Sequence, residues 1–108
     1  MIVFITQYLL PKNIRGITLF PFVLLKHRAD IGNKVLLNHE KIHLQQQVEL
    51  LILPFYIWYF VEFLVKLAIY KNKNKAYKNI SFEREAYRFD NDLDYLNTRK
   101  IFGFIKYL

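Results

Sequence analysis

Apolar and polar positions divide the chain into a β-rich beginning and a helical remainder. Residues 1–10 and 17–28 are rich in β-branched, aromatic and aliphatic side chains, and the segment PKNIRG between them supplies Pro, Asn and Gly for a turn. We therefore predict a short antiparallel hairpin. Because Pro21 cannot donate a ladder hydrogen bond, we expect the second run at a sheet edge or with Pro21 at a non-bonded position.

A long helix is predicted after the loop ADIGN. Asn33 is a suitable N-cap, so the helix begins at about Lys34 and continues to the neighbourhood of Pro54. The almost wholly apolar run 50–70 follows, and Pro54 is expected to kink or split the helical path. The only charges in this run, Glu62 and Lys66, are spaced to pair on one helical face.

The last third of the chain predicts a second helix that follows a polar connector. The basic segment KNKNKAYKN, from Lys71, is expected to be flexible, and Ser81 is a candidate cap for a helix over 81–99. Apolar residues recur in this helix at four-three spacing: Phe82, Ala86, Phe89, Leu93 and Leu96. One face is therefore expected to lie in the core, whereas residues 100–108 show no clear pattern.

These elements and the composition favour one α+β domain, mainly α, over residues 1–108. Apolar residues make up 54% of the chain, which excludes disorder, and the absence of cysteine excludes disulfides and thiolate metal sites. The net charge is +7, but the Lys and Arg residues are dispersed and form no nucleic-acid-binding motif. Because the basic residues are dispersed, we do not expect the protein to bind nucleic acid. No signal peptide is evident, so we expect a cytoplasmic protein.

The segment NHEKIH carries the strongest chemical pattern. Residues four apart lie one above the other on a helix, so His39 and His43 present two imidazoles to one point with Glu40 beside them. Hydrolytic zinc sites take three protein ligands and keep one position for water, while a nearby carboxylate takes the water's proton. A third ligand must come from elsewhere, and the segment FEREAY offers Glu83 and Glu85.

The pattern HExxH followed about forty residues later by FExxA resembles the gluzincin clan of zinc metallopeptidases, especially its minimal members, the minigluzincins. The resemblance implies a zincin-like domain whose zinc is held by His39, His43 and Glu83, with Glu40 activating a zinc-bound water to hydrolyse a peptide. The register of Phe82 with the core stripe also favours Glu83 over Glu85. The clan places an Asp where this chain has Tyr87, so this phenol is expected to support a ligand histidine in its place.

The same resemblance implies an edge strand above the HExxH helix, with which a peptide or protein substrate pairs antiparallel, and ITLFPFVLL fits that place. His27 has no spacing relation to the motif and is expected at the surface or in a turn. Candidates for oxyanion stabilisation are Tyr77, Tyr95 and Arg99, which the sequence does not rank. The alternative function is a non-catalytic or latent zinc-binding module that associates with a partner protein or membrane surface.

The apolar run 50–70 is long enough to cross a bilayer. A crossing would leave His39 and His43 on one side and Glu83 on the other, so the proposed zinc site argues against it. We expect burial of this run in the core or in a homo-oligomer, with peripheral membrane contact as the alternative.

Overall fold

A computed structural model describes residues 2–6 and 14–108 and confirms the α+β, mainly helical class. Within these residues a three-stranded sheet covers one side of a helical body. The strands are β1 (Ile2–Ile5), β2 (Gly16–Leu19) and β3 (Phe22–Leu25). The helices are α1 (Lys34–Glu49), α2 (Leu53–Tyr70), α3 (Lys73–Lys78), α4 (Ser81–Phe89) and α5 (Tyr95–Thr98), with 3-10 helices at Arg28–Gly32 and Gly103–Tyr107.

The sheet differs from the predicted hairpin. Its order is β1-β3-β2, and β1 is parallel to β3 while β2 is antiparallel to it. The second apolar run contains both β2 and β3, with Pro21 in the turn between them, where its missing N–H costs no ladder bond. The edge strand facing α1 is therefore β2, whereas the predicted turn before it lies largely outside the described residues.

Local signals set the two ends of α1. The Asn33 side chain accepts a hydrogen bond from the Leu36 amide at 3.1 Å, which confirms the predicted N-cap. The helix ends at Glu49, and Leu51 and Ile52 take positive φ angles of 59° and 67°. Pro54 then lies in the first turn of α2, where a missing N–H is tolerated, so the predicted break at this point is confirmed.

Three predictions about α2 and its connection to α4 are wrong. The basic connector forms the short helix α3, because the Asn72 side chain caps it by accepting from the Lys75 amide at 3.0 Å. Ser81 is the first residue of α4 and not its cap. Its amide and hydroxyl both donate to the Glu62 carboxylate, and no ion pair joins Glu62 to Lys66 among residues 14–108.

The predicted helix over 81–99 ends early. Phe82 and Ala86 are buried as predicted, but Leu93 is exposed, and the chain turns after Phe89 before the short α5. The final segment, which the sequence left unassigned, returns Phe104 to the core. The core cluster consists of Phe55, Ile80, Phe82 and Phe104.

The apolar helix α2 lies at the surface. Leu53–Tyr70 is long and apolar enough to cross a membrane, and only 6% of this window is buried inside the protein. The prediction that residues 50–70 are buried in the core of this chain is therefore wrong. Its outward side chains are therefore exposed at the surface of the single chain.

Candidate metal centre

The two histidines of HEKIH lie on the face of α1 that packs against α4. They are one helical turn apart, as their spacing predicts, and both are buried. Helix α4 brings Glu83 to the same point from the other side. Two helices distant in sequence therefore place three ligand-type side chains together.

The three side chains converge through one atom each. Glu83 Oε1 lies 3.0 Å from His39 Nε2 and 2.9 Å from His43 Nε2, and the two Nε2 atoms are 3.1 Å apart. Ligands 2.0–2.1 Å from a tetrahedral zinc lie about 3.3 Å from one another. A shift of a few tenths of an ångström therefore fits these three atoms to a zinc ion.

Outward hydrogen bonds fix both imidazole rings. His39 Nδ1 lies 3.2 Å from Asp90 Oδ2, and His43 Nδ1 lies 2.8 Å from Gln46 Oε1. Both partners accept, so each Nδ1 donates, and each Nε2 can direct its lone pair toward Glu83. With Nδ1 as the donor, Nε2 is the nitrogen through which a neutral imidazole would bind a metal.

Tyr87 contacts His39 in a different way from the one expected. The Tyr87 ring packs on the His39 ring with centroids 4.4 Å apart, but its hydroxyl pairs with the Tyr77 hydroxyl at 3.2 Å. The carboxylate of Asp90 makes the hydrogen bond to the ring nitrogen instead. Asp90 follows Glu83 by seven residues, or two helical turns, and this spacing is the signal that sequence reasoning missed.

Helix α2 supplies another residue that sequence reasoning missed. The Tyr59 hydroxyl donates to Glu83 Oε2 at 2.6 Å, so both oxygens of this carboxylate are engaged. Burial and the neighbouring Glu83 charge raise the pKa of Tyr59 above its ordinary value, so it remains a donor. No short motif around Tyr59 indicates this role, because it depends on how α2 packs.

The alternative ligand, Glu85, is used elsewhere. Its side chain is fully buried and forms an ion pair with Arg99 while accepting hydrogen bonds from Tyr95 and Gln46. Of the two glutamates left open by the sequence, only Glu83 therefore reaches the histidines. Two of the unranked oxyanion candidates, Tyr95 and Arg99, are engaged in this structural network.

Charge at the cluster is balanced within the site. Burial lowers the pKa of His43, but the Glu83 carboxylate more than offsets this effect and raises it to about 9. Burial raises the pKa of Glu83, but His43 and His39 hold it well below its usual range. The negative charge of Glu83 is therefore compensated by the two histidines beside it.

Glu40 lies next to the cluster on the same helix. It is 4% exposed, and its Oε2 accepts a hydrogen bond from the Thr18 hydroxyl of β2 at 2.5 Å. Gly16 at the start of β2 leaves room for this carboxylate, because a Cβ there would lie 3.2 Å from Glu40 Oε1. The strand and the helix together therefore fix the position of Glu40.

Two clefts meet at Glu40, and β2 borders both. The first, called the apolar cleft, has a volume of about 410 Å³ and reaches His43 and Glu83. Its other lining residues are mainly apolar or aromatic and include Ile17, Leu19, Phe55, Tyr56, Tyr59, Phe60 and Phe63. The second, called the polar cleft, has a volume of about 460 Å³ and reaches His39. Its lining includes Arg15, Asn33, Asn74, Lys78, Tyr87 and Asp90.

The remaining sequence candidates have clear positions. His27 is exposed and precedes the first 3-10 helix, as expected for a surface or turn residue. Tyr77 lines both clefts and is the one oxyanion candidate that borders the site. Comparisons with known proteins gave no match to a family model, a curated protein or a solved structure.

Proposed function

We propose that the chain is a small zinc-dependent metallopeptidase of the gluzincin type. The observation that carries the proposal is the convergence of His39, His43 and Glu83 on one point, with Glu40 beside them at the junction of two clefts. Two imidazole nitrogens and one carboxylate oxygen form a ligand set that zinc takes in hydrolytic sites. A zinc ion held there would supply a Lewis acid for the scissile carbonyl and lower the pKa of water.

Glu40 is the proton carrier in this proposal. It is not part of the converging donor set, and its carboxylate is held by Thr18 at the rim shared by the clefts. In that position it takes a proton from the attacking water and gives it to the leaving amine nitrogen. The hydroxyl of Thr18 orients the carboxylate for both transfers.

Strand β2 suits an extended peptide as the substrate. The amide of Lys26 donates to Arg15 O at 2.8 Å, so in the alternating antiparallel pattern the backbone groups of Gly16 and Thr18 point away from β3. Gln47 already takes Thr18 O at 2.8 Å, which leaves the Gly16 end of the edge beside Glu40. A substrate backbone pairs there by strand addition, and its side chains enter the two clefts.

The variant Glu40→Gln tests this function. We expect it to keep zinc and its melting temperature but to lose hydrolysis of unstructured peptides by a factor on the order of 10² or more. Asp94→Asn, which neutralises an exposed carboxylate, serves as the control and is expected to cleave normally. A Glu40→Gln variant that cleaves as fast as the unsubstituted chain would refute the role of Glu40.

The alternative is a latent or non-catalytic zinc module. The burial of both histidines and of Glu83, each at most 6% exposed, favours it because substrate access requires an open position at the metal. Zinc-loaded protein that cleaves nothing in a broad peptide library, while its zinc resists exchange with small chelators, would support this alternative.

A further inference from the structure

Helix α2 has reversed amphipathicity. Its two charged residues, Glu62 and Lys66, are half-buried, and Glu62 binds the first residue of α4. Its solvent-facing side is apolar instead, with side chains that are 36% to 65% exposed. These are Leu53, Ile57, Trp58, Phe60, Val61, Leu64, Val65 and Ile69, called the outer face of α2. A surface helix in water shows the opposite pattern.

The outer face is too broad for one partner helix. At 100° per residue its members span an arc of about 180°, and the 18-residue helix is about 27 Å long. A helix packed alongside covers a narrower stripe, so a second copy docking through α2 would leave part of the face in water. The acyl chains of a membrane, in contrast, can cover the whole arc of the outer face.

A basic cluster adjoins the C-terminal end of this face. Residues 63–82 contain five lysines and no acidic residue. Lys71, Lys73, Lys75 and Lys78 are exposed, and none forms an ion pair within residues 14–108. An apolar helix face beside unpaired lysines matches the two layers of an anionic membrane surface, the acyl chains and the phosphates.

We propose that α2 lies in the surface of an anionic membrane, with its outer face among the acyl chains and the lysine cluster at the lipid phosphates. Helix α2 lies in the membrane plane, because the rest of the body carries exposed charges that need water. This inference does not depend on the metal site, since no member of the outer face is a candidate metal ligand.

The single tryptophan makes the proposal measurable, because Trp58 lies on the outer face. The full chain is mixed with vesicles of phosphatidylcholine alone or with added phosphatidylglycerol. We expect flotation with the anionic vesicles, weakening as salt is raised, together with quenching of Trp58 by bromine-labelled acyl chains. Replacing the four cluster lysines by Gln should weaken anionic vesicle binding on the order of 10³-fold.

A matched pair of variants tests the outer face. Leu64→Glu places a charge on it, whereas Ile31→Glu places the same charge at an equally exposed residue, 47% in each case, outside α2. We expect Leu64→Glu to weaken vesicle binding tenfold or more and Ile31→Glu to leave it within twofold. The proposal is overturned if Trp58 is not quenched, or if the chain ignores vesicles and forms a dimer that Leu64→Glu dissociates.

Discussion

Replacing Asp90 by Asn separates two explanations of how His39 is held in place. The Asp90 carboxylate accepts from His39 Nδ1 at 3.2 Å, whereas Tyr87 contacts only the face of the ring. Asparagine keeps the shape but loses the charge, and its amide can present a donor to Nδ1. Removal of such a carboxylate partner lowers metal affinity 10–100-fold in related sites, which corresponds to about 1.4–2.7 kcal/mol.

The structure predicts that Asp90→Asn folds normally. The backbone carbonyl of Asp90 accepts from the Asn38 side chain at 2.9 Å, a bond that the substitution does not touch. Zinc affinity is measured by competition with a chromophoric chelator, and folding by thermal melting. Asp94→Asn provides a control with the same chemical change at an exposed site.

Tyr87→Phe completes the comparison. It removes the hydroxyl bonded to Tyr77 but leaves the ring on His39, so we expect less than a threefold change in zinc affinity. If Tyr87→Phe weakens zinc more than Asp90→Asn does, Tyr87 and not Asp90 supports the ligand. If Asp90→Asn stays within twofold of the unsubstituted chain, the hydrogen bond to His39 does not tune metal binding.

Three further predictions concern the ligands, a buried ion pair and the topology. His39→Ala and Glu83→Ala are each expected to abolish stoichiometric zinc binding in elemental analysis, and full occupancy in a folded variant would exclude that residue as a ligand. Burial raises the pKa of Glu85, but hydrogen bonds from Arg99, Tyr95 and Gln46 hold it below the usual range, so its stabilising effect is present above about pH 4.3 and lost as pH falls further. Arg99→Met leaves a fully buried carboxylate without its cation and is expected to cost about 3–5 kcal/mol in denaturant unfolding at neutral pH, whereas a loss under 1 kcal/mol would contradict this account. Because the chain has no cysteine, Lys34→Cys and Lys75→Cys provide unique labels, and we expect both to react with an impermeant thiol reagent from the same side of a membrane.

Local signals in the sequence were sufficient for the start of α1 and for the break before α2, but not for the sheet. Asn33 caps α1 through an amide three residues away, and Pro54 marks the start of α2 by a steric rule that needs no tertiary contact. The parallel pairing of β1 with β3 joins residues twenty apart, and no local signal in the sequence indicates this pairing. Helix α3 was missed because its polar composition resembles that of a loop, whereas Asn72 and the packing against α2 stabilise it.

In the candidate site, too, the sequence indicated some of the residues and not others. Helical periodicity placed His39 and His43 on one face. The core register of Phe82 favoured Glu83 over Glu85, and Glu83 is the glutamate that lies beside the two histidines. Tyr59 depends on how α2 crosses α4 and has no local signal, whereas the seven-residue spacing between Glu83 and Asp90 was present in the sequence but was not used. Sequence reasoning therefore indicated the converging side chains, but not the groups that orient them.

Helix α2 links the two proposals while leaving them separately testable. Its inner face carries Tyr59, which binds Glu83, and Phe55, whose ring lies 4.5 Å from that of Phe82, so it holds α4 against the site. The outer face of α2 contains neither Tyr59 nor Phe55. We therefore expect Leu64→Glu to leave zinc affinity within twofold while it weakens vesicle binding, and Glu83→Gln to do the reverse. If Leu64→Glu reduces both, the charge has displaced α2 and Tyr59 with it, and the two faces of the helix are not independent.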